Sequence, residues 1–186
     1  YIDITQYKDM EYKTGIQRVV SKIIAELRKK SKNKFKISYF YFPKVFPNAY
    51  LAEYDLKTNT TIRYFFPKKE EIIFFLDFDV NSINLNKELI DFLKGKKIKF
   101  VGMIYDILPF SNPNWFPVKN YKKIYSLWVK TILDLDKVFT ISETVKKKVK
   151  KNFKTKIKNN IFPIRLGGDF KKLSNNYKNK NEEVRF

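Results

Sequence analysis

The first pattern with chemical potential is Thr14-Gly15-Ile16-Gln17-Arg18-Val19-Val20, in which a glycine stands at the entry to an apolar-periodic segment. Backbone N–H groups at the opening of a helix lack intrahelical partners and carry partial positive charge, so this turn could face an anion such as a diphosphate. A simple helix start is the plain alternative. Asp106 follows the apolar run 98–105 directly and precedes Ile107-Leu108-Pro109. Placed there, a carboxylate could orient a substrate hydroxyl or accept its proton, or it could only cap the turn before a proline-bearing loop. Asp77 and Asp79 form a like-charged pair after another apolar run, with loop capping expected for at least one of them. Ser142-Glu143 reads first as a helix N-cap followed by an acidic first-turn residue, the charge that the helix dipole favours.

The chain has no Cys and no His, which removes thiol catalysis, the commonest zinc ligands and the usual neutral-pH proton shuttle. Any acid or base must be Asp, Glu, Lys or Tyr. No metal site is expected, because the Asp77/Asp79 pair has no further oxygen ligands nearby in the sequence. No G-x-G-x-x-G follows the first expected strand, which argues against a nicotinamide or flavin enzyme.

The elements that must position these residues alternate. Strands are expected at 1–5, 35–42, 71–77, 98–105 and 137–141, and helices at 15–30, 86–94 (ended by Gly95), 118–133 and from Ser142 onward. The pair 49–54 and 61–66, with Lys57-Thr58-Asn59 between, predicts a hairpin beside the main sheet. Segment 106–117, with three prolines, is expected to be a loop. The stretch 146–158 would make a basic amphipathic face if Asn152 did not end its helix. Alternating strands and helices predict an α/β fold with a doubly wound, mainly parallel sheet, in which ligands bind beyond the carboxyl ends of the strands.

With 186 residues and 44% hydrophobic composition, one compact domain is the default. The chain opens without Met, and Val184-Arg185-Phe186 reads like the start of a strand, so a piece of a longer protein is expected. No membrane-spanning run or signal peptide is legible, and a cytoplasmic location is the simplest expectation. Net charge is +20, a field that attracts anionic lipid, phosphorylated substrates and polyanions. Only five of the 39 basic residues are Arg, the usual phosphate and base reader, so nucleic acid is disfavoured as a partner. Peripheral contact with an anionic membrane is the better use of the charge, and a basic binding module with no enzymatic site is the competing class.

Taken in order, Asp3-Ile4-Thr5, the 14–20 motif, Phe75-Leu76-Asp77, Ile104-Tyr105-Asp106-Ile107-Leu108-Pro109, Thr140-Ile141-Ser142-Glu143-Thr144 and Leu166-Gly167-Gly168-Asp169-Phe170 resemble the N-terminal domain of bacterial family-4 type glycosyltransferases. The resemblance runs from residue 1 to about residue 169. It implies one Rossmann-like half of a GT-B fold over residues 1–170, with 171–186 a Lys/Asn-rich linker leading into a C-terminal domain. It also implies metal-independent sugar transfer with retention of configuration, in polysaccharide biosynthesis. The nucleotide-sugar donor is then a substrate rather than a cofactor, held mainly by the C-terminal domain, and a saccharide or lipid-linked acceptor lies against the N-terminal one. On that resemblance, Thr14 and Gly15 approach the donor diphosphate with Arg18 on the helix they open. Asp106 touches the transferred sugar or acceptor hydroxyl, and Ser142 and Glu143 line the cleft. Tyr105 stands where many relatives carry His, and the 186-residue chain alone is expected to be inactive.

Overall fold

The computed structural model describes residues 1–9, 14–31, 34–45, 47–116, 118–153 and 160–165. The motif 166–170 and the tail 171–186 lie outside the described residues. The fold is α/β, with one eight-stranded sheet flanked by helices. The strands are β1 (Ile2–Asp3), β2 (Tyr39–Tyr41), β3 (Leu51–Asp55), β4 (Thr60–Phe65), β5 (Ile72–Phe75), β6 (Lys99–Ile104), β7 (Lys137–Thr140) and β8 (Ile161–Pro163). Their order is β4-β3-β2-β1-β5-β6-β7-β8. All pairings from β2 through β8 by way of β1 are parallel, and β3 and β4 add to the β2 edge as an antiparallel hairpin.

The buried strands read as near-continuous apolar runs because both of their faces are covered. Ile73, Phe75, Phe100, Ile104 and Val138 point into the larger core, under α2 (Val80–Leu85), α3 (Lys87–Gly95), α5 (Tyr121–Leu133) and α6 (Glu143–Asn152). Alternate residues, Leu76, Met103 and Tyr105 with Ile2 and Ile4, face the smaller core under α1 (Gly15–Ser31). Helix α1 presents Val20 and Ile24 to this core, with Ile16, Val19, Ile23 and Leu27 half-covered beside them, the 3.6-residue stripe of an amphipathic helix.

Several elements differ from expectation, each for a local reason. The strand expected over 35–42 is confined to Tyr39–Tyr41, where the chain finds partners on both sides, β1 and β3. Gly95 is the last residue of α3 rather than its stop signal. The left-handed position is Lys97, at φ 62°, where the amide of Ile98 reaches back to the Leu93 carbonyl at 3.4 Å. Segment 106–117 contains a short helix, α4 (Leu108–Ser111), with Pro109 in its first turn, followed by a 3₁₀ turn at Pro113–Trp115. Helix α6 does end at Asn152, so the basic face expected over 146–158 is a helical face only to that point. Helix α2 and strand β8 were not expected. The hairpin is as the sequence predicts, with Asn59 supplying the left-handed turn residue at φ 56° and Asp55 Oδ1 accepting the Lys57 amide at 2.8 Å.

Close packing of α5 on β6 depends on Gly102. A Cβ at that position would come within 2.8 Å of Ile132 Cγ2 and 2.9 Å of Leu135 Cδ1. Gly102→Val should therefore destabilise the fold by about 1–3 kcal/mol through overpacking. Chemical denaturation measures it, and an unchanged midpoint would show that α5 is not seated on the sheet as described.

Candidate functional site

Because β1, β2, β5, β6, β7 and β8 are parallel, their carboxyl ends share one edge of the sheet. The strand order reverses at β1, whose neighbours are β2 on one side and β5 on the other. Connections diverge at such a switch point and leave a crevice, the usual ligand position in an open α/β sheet.

Here the crevice is organised by carboxylates. Asp77, just beyond β5, accepts the Gln6 amide at 2.7 Å and the Tyr7 amide at 2.6 Å on Oδ2, and the Phe78 amide at 2.8 Å on Oδ1. It thereby pins the segment after β1 to the segment after β5. Asp79 caps α2 by accepting the Ser82 amide at 2.9 Å. Both members of the pair seen in the sequence therefore cap backbone. Asp3 is fully buried; its Oδ1 accepts the Thr5 amide at 3.0 Å and the Thr5 hydroxyl at 2.6 Å, while Oδ2 has no partner among the described residues. Burial and then the negative charge of Asp77 push the Asp3 carboxyl well above the usual range, outweighing the Thr5 hydrogen bonds. Burial also raises Asp77, against the three amides that stabilise its charged form.

Beside these acids opens a cleft of about 550 Å³, bounded by Thr5, Gln6, Lys8 and Asp9 after β1, Tyr41, Phe42 and Lys44 at β2, and Asp79, Asn81 and Ser82 at α2. Its size is in the range of small-molecule sites. Lys8 Nζ lies 4.5 Å from the centre of the Tyr41 ring and 2.5 Å from Asp9 Oδ1, which fixes one cation on the cleft wall.

The residues singled out in the sequence distribute along the same edge. Thr14 and Gly15 open α1, with the Thr14 hydroxyl against Gln17 Oε1 and the Thr14 carbonyl accepting the Arg18 amide at 3.0 Å. Thr14, Gly15 and Arg18 are exposed. Gly15 has no positive φ, and a Cβ there would meet nothing within 4 Å. Neither backbone strain nor packing therefore calls for a glycine at that position. Asp106 is half-buried at the end of β6: Oδ1 accepts the Leu108 amide at 2.8 Å, its carbonyl accepts the Tyr125 hydroxyl at 2.6 Å, and Oδ2 accepts no hydrogen bond among the described residues. The turn-capping role is thus real, and one carboxylate oxygen remains available beside it. Burial and then the Asp106 charge raise both Tyr121 and Tyr125 above the normal phenol range, so these neighbours stay protonated as donors.

Tyr105 is buried on the opposite face of the sheet, under α1, and donates to the Leu76 carbonyl at 2.7 Å. Burial, then the Asp77 charge, keeps this phenol protonated as well. Its hydroxyl supports the segment after β5 rather than the open edge. Ser142 Oγ accepts the Val145 amide at 3.2 Å as the N-cap of α6, and Glu143 is exposed, 3.9 Å from Lys146 Nζ. The edge therefore brings together Asp77, Asp106 and Ser142 on neighbouring strand ends, at a spacing of about 4.8 Å per strand. Asp3-Ile4-Thr5 stood in the sequence only as one motif of the ordered series, with no role for its side chains, and the cleft residues Lys8, Tyr41 and Asn81 were missed. No local signal marked these cleft residues, because it is the parallel pairing of β1 with β2 that sets the ends of both strands side by side.

Among the described residues there is no group of three or more His, Cys, Asp or Glu side chains that could hold a metal ion, and no helix long and apolar enough to cross a membrane. Comparison with protein-family models, curated proteins and solved structures finds no match to this chain.

The carboxyl pair has a pH signature. An unfolded aspartate ionises near pH 3.9, whereas folded Asp3 holds its proton to higher pH, so the folded state binds more protons and stability falls as pH rises above about 4. Asp3→Asn fixes the neutral form. Its stability, measured by denaturant titration from acid to neutral pH, should fall less steeply than that of the wild type, leaving the variant more stable at neutral pH. Parallel curves would show that Asp3 is already ionised in the fold.

Proposed function

We propose that the chain is the acceptor-side half of a retaining, metal-independent glycosyltransferase that moves a sugar from a nucleotide-sugar donor to a saccharide or lipid-linked acceptor. The observation that supports this reading is that the Gly15 helix terminus, the open oxygen of Asp106 and the cleft lie along one edge of the sheet, together with the ordered motifs that resemble the family-4 type enzymes.

On this reading, the chain supplies three contributions. The N-terminus of α1 presents unpaired amides and the positive end of a 17-residue helix dipole to the departing diphosphate, with room for close approach because Gly15 has no side chain. Such a fixed dipole acts most strongly where charge accumulates in the transition state, which is where binding energy accelerates the reaction. Asp106 is held at the β6 end by the Leu108 amide and the Tyr125 hydroxyl, and its Oδ2 accepts from a hydroxyl of the transferred sugar or of the acceptor. The cleft between β1, β2 and α2 offers carboxylate, amide, hydroxyl and ammonium groups beside the Tyr41 ring, the mixture a polyhydroxylated acceptor requires. The nucleotide and most of the donor are held by a second, C-terminal domain of the parent protein, so the 186-residue chain alone transfers no sugar.

Two substitutions in the full-length parent separate function from fold. Asp106→Asn retains an oxygen for the Leu108 amide, so the melting temperature should stay constant while kcat falls at least about a hundredfold, the scale of a positioned acid–base or polar group. A near-normal rate removes Asp106 from the mechanism. Gly15→Ala at the first turn of α1 should leave stability unchanged or raise it by about 0.4–1 kcal/mol, because it restricts only the unfolded chain. The same change should weaken use of nucleotide-sugar donors in steady-state assays. Undiminished kcat/KM in Gly15→Ala would mean that no diphosphate approaches that helix terminus.

A further inference from the structure

The charge of the chain is not spread evenly. Between Ile107 and Lys151 the sequence holds ten lysines and three acidic residues. Each of those acids already has a lysine partner: Asp134 with Lys94, Asp136 with Lys99 and Glu143 with Lys146. Helices α5 and α6 carry most of these lysines and pack on the same core on one face of the sheet, so their outward sides form one basic surface. At its carboxyl-edge end project apolar side chains that the core does not claim. Trp115 is 67% exposed and Val118 57%, and Leu127 emerges from the outer side of α5 at 45%. Exposed Lys119, Lys122 and Lys123 stand among them, with Lys122 Nζ 5.0 Å from the centre of the Phe110 ring.

We infer that this surface docks on an anionic lipid bilayer, with Trp115, Val118 and Leu127 entering the headgroup–acyl boundary and the α5 and α6 lysines lying among the headgroups. The complementarity is twofold. An indole with neighbouring aliphatic side chains matches the interfacial zone, where tryptophan is favoured, and long lysine stems let ammonium groups reach phosphates from an apolar base. Polybasic surfaces gain further attraction from the negative potential of an anionic leaflet. A nucleic acid fits less well: there is no Arg from residue 107 to 153, and of the three exposed apolar side chains only Trp115 offers a flat ring for a base to stack on. The inference is independent of the transferase reading, since it uses the outer side of α5 and α6 rather than the cleft.

The two tryptophans make the test direct, because Trp115 is exposed and Trp128 is 1% exposed in the core. Phosphatidylglycerol-rich vesicles should shift the tryptophan emission to the blue, brominated lipid should quench it, and pure phosphatidylcholine vesicles should do neither. Trp115→Phe should retain binding by co-sedimentation but lose the spectral change. Leu127→Glu and the pair Lys122→Glu with Lys123→Glu should each weaken vesicle binding by about tenfold or more, with circular dichroism and melting temperature unchanged. The proposal is overturned if anionic vesicles do not bind, or if they bind with no emission change. It is equally overturned if the Leu127 and lysine variants, folded, bind as the wild type does. Binding of an oligonucleotide that displaces vesicles and survives Leu127→Glu would assign the surface to nucleic acid instead.

Discussion

The arrangement at the carboxyl edge depends on one side chain bridging two strand ends. Asp77 gathers the amides of Gln6, Tyr7 and Phe78 around a single carboxylate, so the segment leaving β1 is held against the segment leaving β5 at the point where the sheet reverses direction. Amides aimed at a carboxylate make strong, charge-assisted hydrogen bonds. Tyr105 supports the same place from below by donating to Leu76, and Asp79 starts the next helix two residues later. The cleft wall, the 3₁₀ turn at Tyr7–Asp9 and the entry to α2 all follow from this junction.

Holding a carboxylate there has an electrostatic consequence. Burial, and after it the charge of Asp77, drives the Asp3 carboxyl toward the neutral form, and its second oxygen has no partner among the described residues. A buried polar atom left unpaired costs stability, so the fold accepts a local penalty at its switch point. Such conflicts between local stability and sequence choice gather at functional sites. The same edge collects the N-termini of α1, α5 and α6, whose dipoles make the surroundings of the acids favourable to anions.

Much of the framework was legible because its signals are periodic and strong. The 71–77 and 98–105 runs could hardly be anything but buried strands, and the α1 and α5 stripes repeat over several turns. Ser142 was readable as a helix cap, and at least one of Asp77 and Asp79 as a loop cap, from residue type and position. What escaped had weak local signals. Helix α2 offers only Val80 and Ile83 to the core, and β8 is three residues ending in Pro163. The site was only partly legible for a different reason. Asp106 and Ser142 advertise themselves by following apolar runs and Gly15 by opening a helical stripe, but Lys8 and Tyr41 become neighbours only through the parallel pairing of β1 and β2, which no single stretch of sequence encodes. Tyr105 shows the converse: strand alternation turns its side chain to the α1 face, away from the open edge where its neighbour Asp106 sits.

On the proposed function, a glycosyl donor and acceptor meet at the carboxyl edge. Hydrogen–deuterium exchange of the full-length protein, with and without a panel of nucleoside diphosphate sugars and oligosaccharides, tests it most directly. An accepted ligand should protect amides in 4–8, 15–18, 77–82, 106–108 and 142–145 and leave the opposite edge, around 69–71 and 96–99, unchanged. Protection at the opposite edge, or no protection of this chain by any donor or acceptor, would contradict it.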